Sequence, residues 1–252
     1  MFKEHLSLVI PAYNEAKRLP SSLDQILQYL AAHFERFDIV IVDDGSRDTT
    51  VEIVQRYLQK WPQISLLENE KNSGKGASVK RGMLAATGEF VFFTDADLST
   101  PIETLSKCVR RFSGDSSIDV MIGTRKVPEA NVVKPQPFYR VFMGRAFTWM
   151  ANGILRTALS DFTCGFKGFR REACREIFSR QTLQRWAFDV EILFIARLLG
   201  YRTVELPVEW ANSRDTKVNL LRDALYTFLE LINIRFKSWR GDYRAPLTKP
   251  SF

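Results

Sequence analysis

Five short apolar runs, "LSLVI", "DIVIV", "ISLL", "FVFFT" and "DVMIG", punctuate the first half of this chain, with segments of helical period between them. Helices are expected from about Pro20, Asp48, Lys75 and Pro101. Strand and helix in strict alternation make repeated βαβ units. Runs apolar on both faces belong in a parallel sheet covered by helices, and such sheets bind ligands beyond the carboxyl ends of their strands. The residues therefore predict an α/β fold with a mostly parallel central sheet flanked by helices. Every unusual acidic or glycine motif falls just after one of the strands.

The segment "TRKVPEANVVKPQP", residues 124–137, has prolines and no clear period, and it is read as the boundary between two halves. Beyond it come the apolar stretch "FYRVFMGRAFTWMANGILRTAL", a strand near "GFKGF", a helix opening at "WAFDVEILFIARLLG" and the strand "TVELPVEW". A last helix carries Leu221, Leu225, Phe228, Leu229, Ile232, Phe236 and Trp239 on one stripe, opposite Arg222, Glu230, Asn233 and Lys237. That stripe either faces the core or lies at a membrane interface. The expected organisation is one catalytic domain over 1–252, with a ligand-binding half (1–125), an acceptor half (126–217) and an amphipathic C-terminal helix and tail (218–252).

At 252 residues and 45% apolar content, the chain can build its own core. Its three cysteines, Cys108, Cys164 and Cys174, have no metal-ligand spacing and are read as small buried hydrophobes in a reducing, cytoplasmic setting. His5 and His33 form no cluster, which excludes a histidine zinc site or a triad base. Any metal must sit on oxygen ligands, as Mg²⁺ or Mn²⁺ does. The net charge of +7 admits nucleic acid, an anionic membrane surface or a phosphorylated small molecule as partner. No nucleic-acid recognition motif accompanies that charge, so nucleic acid is set aside. No apolar run approaches the roughly 18 residues that span a bilayer.

Asp95 and Asp97 in "FFTDADLSTP" lie two residues apart where a strand leaves the sheet. In extended chain that spacing puts both carboxylates on one face, where they could share a cation; the alternative is a turn aspartate followed by a helix cap. In "IVIVDDGSRDTT", Asp43 and Asp44 either accept hydrogen bonds from a ribose or base edge or serve only as turn residues. "VIPAYNE" offers Pro11, Tyr13 and Glu15 beside the same position. "NSGKGAS" fails as a P-loop, since Asn69 and Gly76 occupy positions that need glycine and Ser/Thr, yet Lys75 could meet a phosphate at a helix N-terminus.

Taken in order, "VIPAYNE", "VIVDDGSRDTT", "NSGKGAS" and "FTDADLSTP" resemble the family 2 glycosyltransferases of the GT-A (Rossmann-like) fold. "GTR" at Arg125, "YRVFMGR", "DFTCGFKGFRR", "RWAFDVE" and "RDTKVNLLRDA" look like the branch acting on polyprenyl phosphates, the dolichyl-phosphate glucosyltransferases more than the dolichyl-phosphate mannose synthases. The resemblance implies an inverting, metal-dependent hexosyltransferase. Pro11, Tyr13, Glu15, Asp43, Asp44 and Lys75 would hold the nucleotide sugar, and Asp95 and Asp97 the metal and diphosphate. Asp97, Arg125, Arg140, Arg214 and Lys217 form the expected catalytic set, its cations facing the acceptor phosphate. UDP-glucose is the implied donor, with GDP-mannose the other candidate.

Asp189 and Glu191 would act as a base only on a hydroxyl acceptor, and are otherwise expected to anchor the acceptor side or the start of a helix. Ser99, Gly144 and Thr216 depart from the mannose-synthase pattern, and Ser99 replaces its third protein metal ligand. A polyprenyl acceptor also implies peripheral binding to the cytoplasmic face of a membrane. The stretch 138–159 and the last helix would then rest at headgroup level or, alternatively, pack on the sheet.

Overall fold

The computed structural model describes residues 1–134, 137–211 and 220–244, with the side chains of Arg140 and of residues 220–225 left aside. The chain runs β1 (Leu6–Ala12), α1 (Leu19–His33), β2 (Phe37–Asp43), α2 (Thr50–Leu58), β3 (Ile64–Glu68), α3 (Lys75–Ala85), β4 (Phe90–Phe93), α4 (Thr104–Gly114) and β5 (Val120–Thr124). It continues with β6 (Asn131–Lys134), α5 (Phe138–Leu155), β7 (Lys167–Arg170), α6 (Arg171–Arg180), α7 (Phe188–Leu198), β8 (Thr203–Pro207), β9 (Glu209–Ala211) and α8 (Leu220–Arg240).

Seven strands form one sheet in the order β3-β2-β1-β4-β7-β5-β8. All neighbours are parallel except at β7, which lies antiparallel to both β4 and β5. Alternate residues of each central strand feed two separate cores, as a sheet covered on both faces requires. Leu8 and Ile10 of β1, Ile39 and Ile41 of β2, and Phe90 and Phe92 of β4 pack with α1 and α4 on one face. Val9, Val40, Val42, Val91 and Phe93 face α3, α6 and α7 on the other. The three cysteines are free and buried, and burial raises their thiol pKa values.

Two features differ from the sequence reading, and a third is one it leaves open. The proline-bearing segment 124–137 contains β6, which pairs parallel with β9 in a small second sheet. The helix α6 follows directly on β7. Of the two placements open to the last helix, its apolar stripe takes the outward one: Leu231 and Ile234 are buried, whereas Leu229, Ile232, Phe236 and Trp239 of the stripe are exposed and Phe228 is half-buried. Leu221 and Leu225 fall among the side chains that are not described.

The reversed strand β7 fits against β4 through Gly168. A Cβ at this position would lie 2.1 Å from the ring of Phe92. That ring is fully buried between Phe112 and Phe166, at centroid separations of 6.1 and 5.7 Å, so it has nowhere to go. Gly168→Ala is expected to destabilise the fold by about 1–3 kcal/mol through overpacking, read as a fall in the thermal midpoint of several degrees.

Candidate active site

The carboxyl ends of β1, β2 and β4 open onto one region, and three loops there are tied together by side chains that the sequence placed just after strands. The Asn14 amide donates to Ser46 Oγ at 2.9 Å, the Arg47 amide to Asn14 Oδ1 at 2.8 Å and the Glu15 amide to Thr50 Oγ1 at 2.9 Å. Asn14 adopts φ 53°, a left-handed conformation that asparagine tolerates. The Glu15 carboxylate accepts from Arg18 Nε at 2.8 Å and Nη2 at 2.7 Å. Pro11 stands next to last in β1, in register with Val42, and Tyr13 follows the strand, half-buried.

The paired acids Asp43 and Asp44 divide their roles. Both oxygens of Asp44 are engaged: Oδ1 accepts from Asn69 Nδ2 and the Ser73 amide, each at 2.9 Å, and Oδ2 from the Gly74 amide at 2.8 Å. Asp44 thus holds the loop ahead of α3. Asp43 Oδ2 accepts from the Ser46 amide at 2.9 Å, while its Oδ1 is buried without a partner. A buried oxygen left without a donor is costly and marks a place where a bound group can supply one.

Asp95 and Asp97 occupy a turn beyond β4, so extended alternation is not what brings them together. Leu98 sits at φ 48°, its amide donating to Asp95 O at 3.2 Å, and Asp97 Oδ1 accepts from the Ser99 amide at 3.0 Å. Asp95 Oδ1 lies 2.5 Å from Lys75 Nζ, and Asp97 Oδ2 lies 3.7 Å from Arg18 Nη1. Burial works against the Lys75 charge, but Asp95, Asp189 and Asp97 together raise its pKa above the usual lysine value. Among the described residues no group of three or more His, Cys, Asp or Glu side chains could close around an ion. A divalent cation here would have two carboxylates and would need other oxygens from a diphosphate and water, the arrangement that Mg²⁺ and Mn²⁺ favour.

On the other side of Asp95 stands an electropositive group that the sequence only partly revealed. Asp161, fully buried, accepts from Arg125 Nε at 2.7 Å and Nη2 at 3.0 Å and lies 3.4 Å from Lys126 Nζ. The Arg125 guanidinium stacks 5.1 Å from the Trp210 ring centroid. Burial opposes its charge, yet Asp161 raises its pKa, with a smaller contribution from Asp95. Lys126 donates to Gly144 O at 3.0 Å and Thr148 Oγ1 at 2.6 Å, and so docks α5 beside the site. Asp161, Lys126 and Trp210 were not singled out from sequence, although two adjacent cations after a strand in "GTRK" were a usable signal.

Asp189 and Glu191 begin α7, as one of their two expected roles required, but neither lines an open acceptor pocket. Asp189 pairs with Lys167 Nζ at 2.5 Å, both side chains being buried, and Glu191 is fully buried. Arg140 lies in the first turn of α5, where only its backbone is described, and Arg214 and Lys217 lie outside the described residues. None of the described helices is long and apolar enough to cross a membrane.

The family model for glycosyl transferase family 2 matches residues 7–178. This chain belongs to that family. As a family 2 glycosyltransferase it is 41% identical over 225 residues to a dolichyl-phosphate beta-glucosyltransferase of Trichomonas vaginalis, covering 86% of this chain and 68% of that one. A dolichyl-phosphate beta-glucosyltransferase of Homo sapiens is 30% identical over 257 residues, covering 98% and 79%. Among solved structures, a Pyrobaculum calidifontis mannosyltransferase in complex with GDP-Man and Mn²⁺ superposes with a TM-score of 0.60 at 20% identity, covering 99% and 67%. Glucosyl-3-phosphoglycerate synthase of Mycobacterium tuberculosis, with Mn²⁺, UDP and glucosyl-3-phosphoglycerate, gives 0.64 at 16% identity over 97% and 82%. The fold of this family 2 glycosyltransferase is therefore GT-A.

Two predictions follow from the packing of the site. A Cβ on Gly165 would lie 1.9 Å from Asp95 Oδ2. Because the clash is with the end of a side chain, Gly165→Ala should swing the carboxylate off Lys75 at little cost in stability, read as a melting temperature that stays near the parent's. Separately, burial raises the Asp161 pKa, but Arg125 and Lys126 outweigh it and hold the carboxyl well below the usual range. A depressed folded-state pKa contributes stability that is complete above the unfolded value of about 3.9 and is lost as pH falls through the folded one. Asp161→Asn should cost about 3 kcal/mol at neutral pH, by stranding two cations, and flatten the acid limb of the stability curve.

Proposed function

We propose that this glycosyltransferase moves glucose from UDP-glucose to a polyprenyl phosphate, with inversion at the anomeric carbon. A phosphate oxygen of the acceptor forms the new bond to C1 as the bond from C1 to the diphosphate breaks, and the electron pair leaves with UDP. Transfer to an alcohol needs a positioned base to take the hydroxyl proton. A phosphate monoester, with a second pKa near about 6, is mostly dianionic at neutral pH and needs orientation and charge compensation instead.

The observation that carries this reading is the state of the two acids in "WAFDVE". Asp189 is committed to Lys167 and Glu191 to backbone and hydroxyl donors, whereas Arg125 and Lys126 are gathered on Asp161, with Arg125 close enough to feel the Asp95 charge. In this reading Asp43, with Pro11, Tyr13 and Glu15 around it, receives the nucleoside, and Lys75 faces the diphosphate. Asp44 supports them by fixing the Ser73–Gly74 loop. Asp95 and Asp97 would hold Mg²⁺ or Mn²⁺, which neutralises charge developing on the departing diphosphate. Arg125, Arg140, Arg214 and Lys217 present the acceptor phosphate, the arginines with bidentate, permanently charged forks. The preference for UDP-glucose over GDP-mannose rests on the glucosyltransferase relatives and on Ser99, which departs from the mannose-synthase pattern.

The same reading places the enzyme on the cytoplasmic face of a membrane. Phe138, Phe142 and Trp149 of α5 and Leu229, Ile232, Phe236 and Trp239 of α8 are exposed, with Trp149 at 79% and Trp239 at 73%. Apolar and aromatic side chains on two neighbouring helices, with exposed Arg145 and Arg240, suit a headgroup-level contact. Phe236→Glu with Trp239→Glu is expected to abolish sedimentation with anionic phospholipid vesicles without lowering the melting temperature.

The direct test incubates the chain with UDP-glucose, GDP-mannose or other donors, a short polyprenyl phosphate and Mg²⁺ or Mn²⁺, followed by extraction of glycolipid. Product from UDP-glucose is expected, lost in Asp97→Asn without unfolding, whereas Arg214→Ala should raise the KM for acceptor more than that for donor. Product from GDP-mannose alone would reassign the sugar, and unchanged turnover in Asp97→Asn would refute the site.

A further inference from the structure

One buried acid takes no part in the chemistry above. Glu191 accepts from the Thr182 amide at 2.9 Å, the Leu183 amide at 2.7 Å, Thr182 Oγ1 at 2.5 Å and the Tyr243 hydroxyl at 2.8 Å. Tyr243 lies just past α8, where the chain turns back at Gly241, and is 1% exposed against the edge of Phe194. Burial and the adjoining Glu191 carboxylate push its phenol far above the usual tyrosine range, so it remains a donor. Lys237 of α8 adds a second tie, Nζ donating to Thr182 Oγ1 at 2.7 Å.

The segment so held, residues 181–187, is packed against the start of α3. Gln181 Nε2 donates to Gly76 O at 2.9 Å, the Ala77 amide to Gln184 O at 3.0 Å and Lys80 Nζ to Gln181 O at 2.6 Å. A Cβ on Gly74 would come within 2.5 Å of Gln184 O, and one on Gly76 within 2.8 Å of Leu183 O, so backbone meets backbone. The first residue of α3 is Lys75, which reaches Asp95 and lies 5.8 Å from the Trp186 ring centroid. The Gly74 amide in turn binds Asp44. Displacing 181–187 therefore displaces the groups that hold Lys75 and the Ser73–Gly74 loop.

We propose that Tyr243 and Glu191 are positioning residues for the donor site: the chain after α8 braces residues 181–187 onto α3 and thereby fixes Lys75 against Asp95. This rests on the reading of Asp95 and Lys75 as donor groups. Four donors converging on one side chain suit a carboxylate, and two of them are backbone amides whose positions are those of the braced segment itself. A tyrosine that served only to anchor α8 would need its ring, already packed on Phe194, and not its hydroxyl.

Tyr243→Phe removes one oxygen and keeps the ring. Hydrogen exchange, UDP titration with Mn²⁺, and donor KM and kcat should be compared in the unsubstituted chain, Tyr243→Phe, Glu191→Gln, and Phe34→Leu, which loosens the buried packing on Phe2 away from α3, α7 and α8. Tyr243→Phe is expected to speed exchange at 182–187 and 74–78 and to weaken UDP binding and raise donor KM by about tenfold, with kcat little changed. Glu191→Gln should reproduce the pattern more strongly, while Phe34→Leu lowers the melting temperature with donor KM unchanged. Parental exchange at 182–187 in Tyr243→Phe, or faster exchange with an unaltered donor KM, overturns the brace. Failure of the unsubstituted chain to bind any nucleotide instead overturns the donor reading on which it rests.

Discussion

The Asp95 carboxylate packs against a backbone position with no side chain, Gly165, with Lys75 at its other edge, and the rest of the site is organised around that placement. Negative charge gathered at the end of a sheet requires compensation. Lys75 comes from the start of α3 and Arg18 from the start of α1, each reaching one of the two acids from a different βα unit. The pair is thus assembled only when β1, β4, β7 and α3 are all in place. In the proposed reaction, Lys75, which partners Asp95, also faces the incoming diphosphate.

The reversed strand β7 joins the Asp95 end of β4 to the Arg125 end of β5. The segment before it, from Asp161 to Phe166, runs between the ends of β4 and β5. Gly165 backs Asp95, and Asp161 gathers Arg125 and Lys126. Six residues therefore couple Asp95, one of the acids proposed for the leaving group, with Arg125, one of the cations proposed for the acceptor. Proximity and orientation of the two reactants are most of what a reaction without proton transfer asks of its enzyme.

The parallel part of the sheet was legible because β-branched and aromatic runs separated by helical period have few other foldings. The direction of β7 was not, since a four-residue strand carries no sign of polarity. The helix α6 had a signal in Ala173, Cys174, Ile177 and Phe178, at helical spacing within an otherwise polar segment, and β6 was hidden by its proline neighbours. Asp43 and Asp44 read as equivalent, yet adjacent residues on a strand end point oppositely, and one binds the α3 loop while the other keeps a buried oxygen without a donor. The last helix was open between core and membrane interface, and its described side chains divide: Leu231 and Ile234 are buried, while Leu229, Ile232, Phe236 and Trp239 of the apolar stripe face outward. Arg125 was read as a single acceptor group, but its partner Asp161 lies 36 residues away, beyond any local pattern.

The claim most exposed to experiment is that the acceptor arrives already ionised and needs no base. Rates of glucosyl transfer to a short polyprenyl phosphate and to the matching polyprenol, measured from pH 5 to 9 with Mn²⁺, test it directly. The structure predicts product from the phosphate alone, at a rate that rises with its second ionisation near about 6 and then stays level. Comparable transfer to the alcohol, governed by a protein group titrating elsewhere, would contradict it.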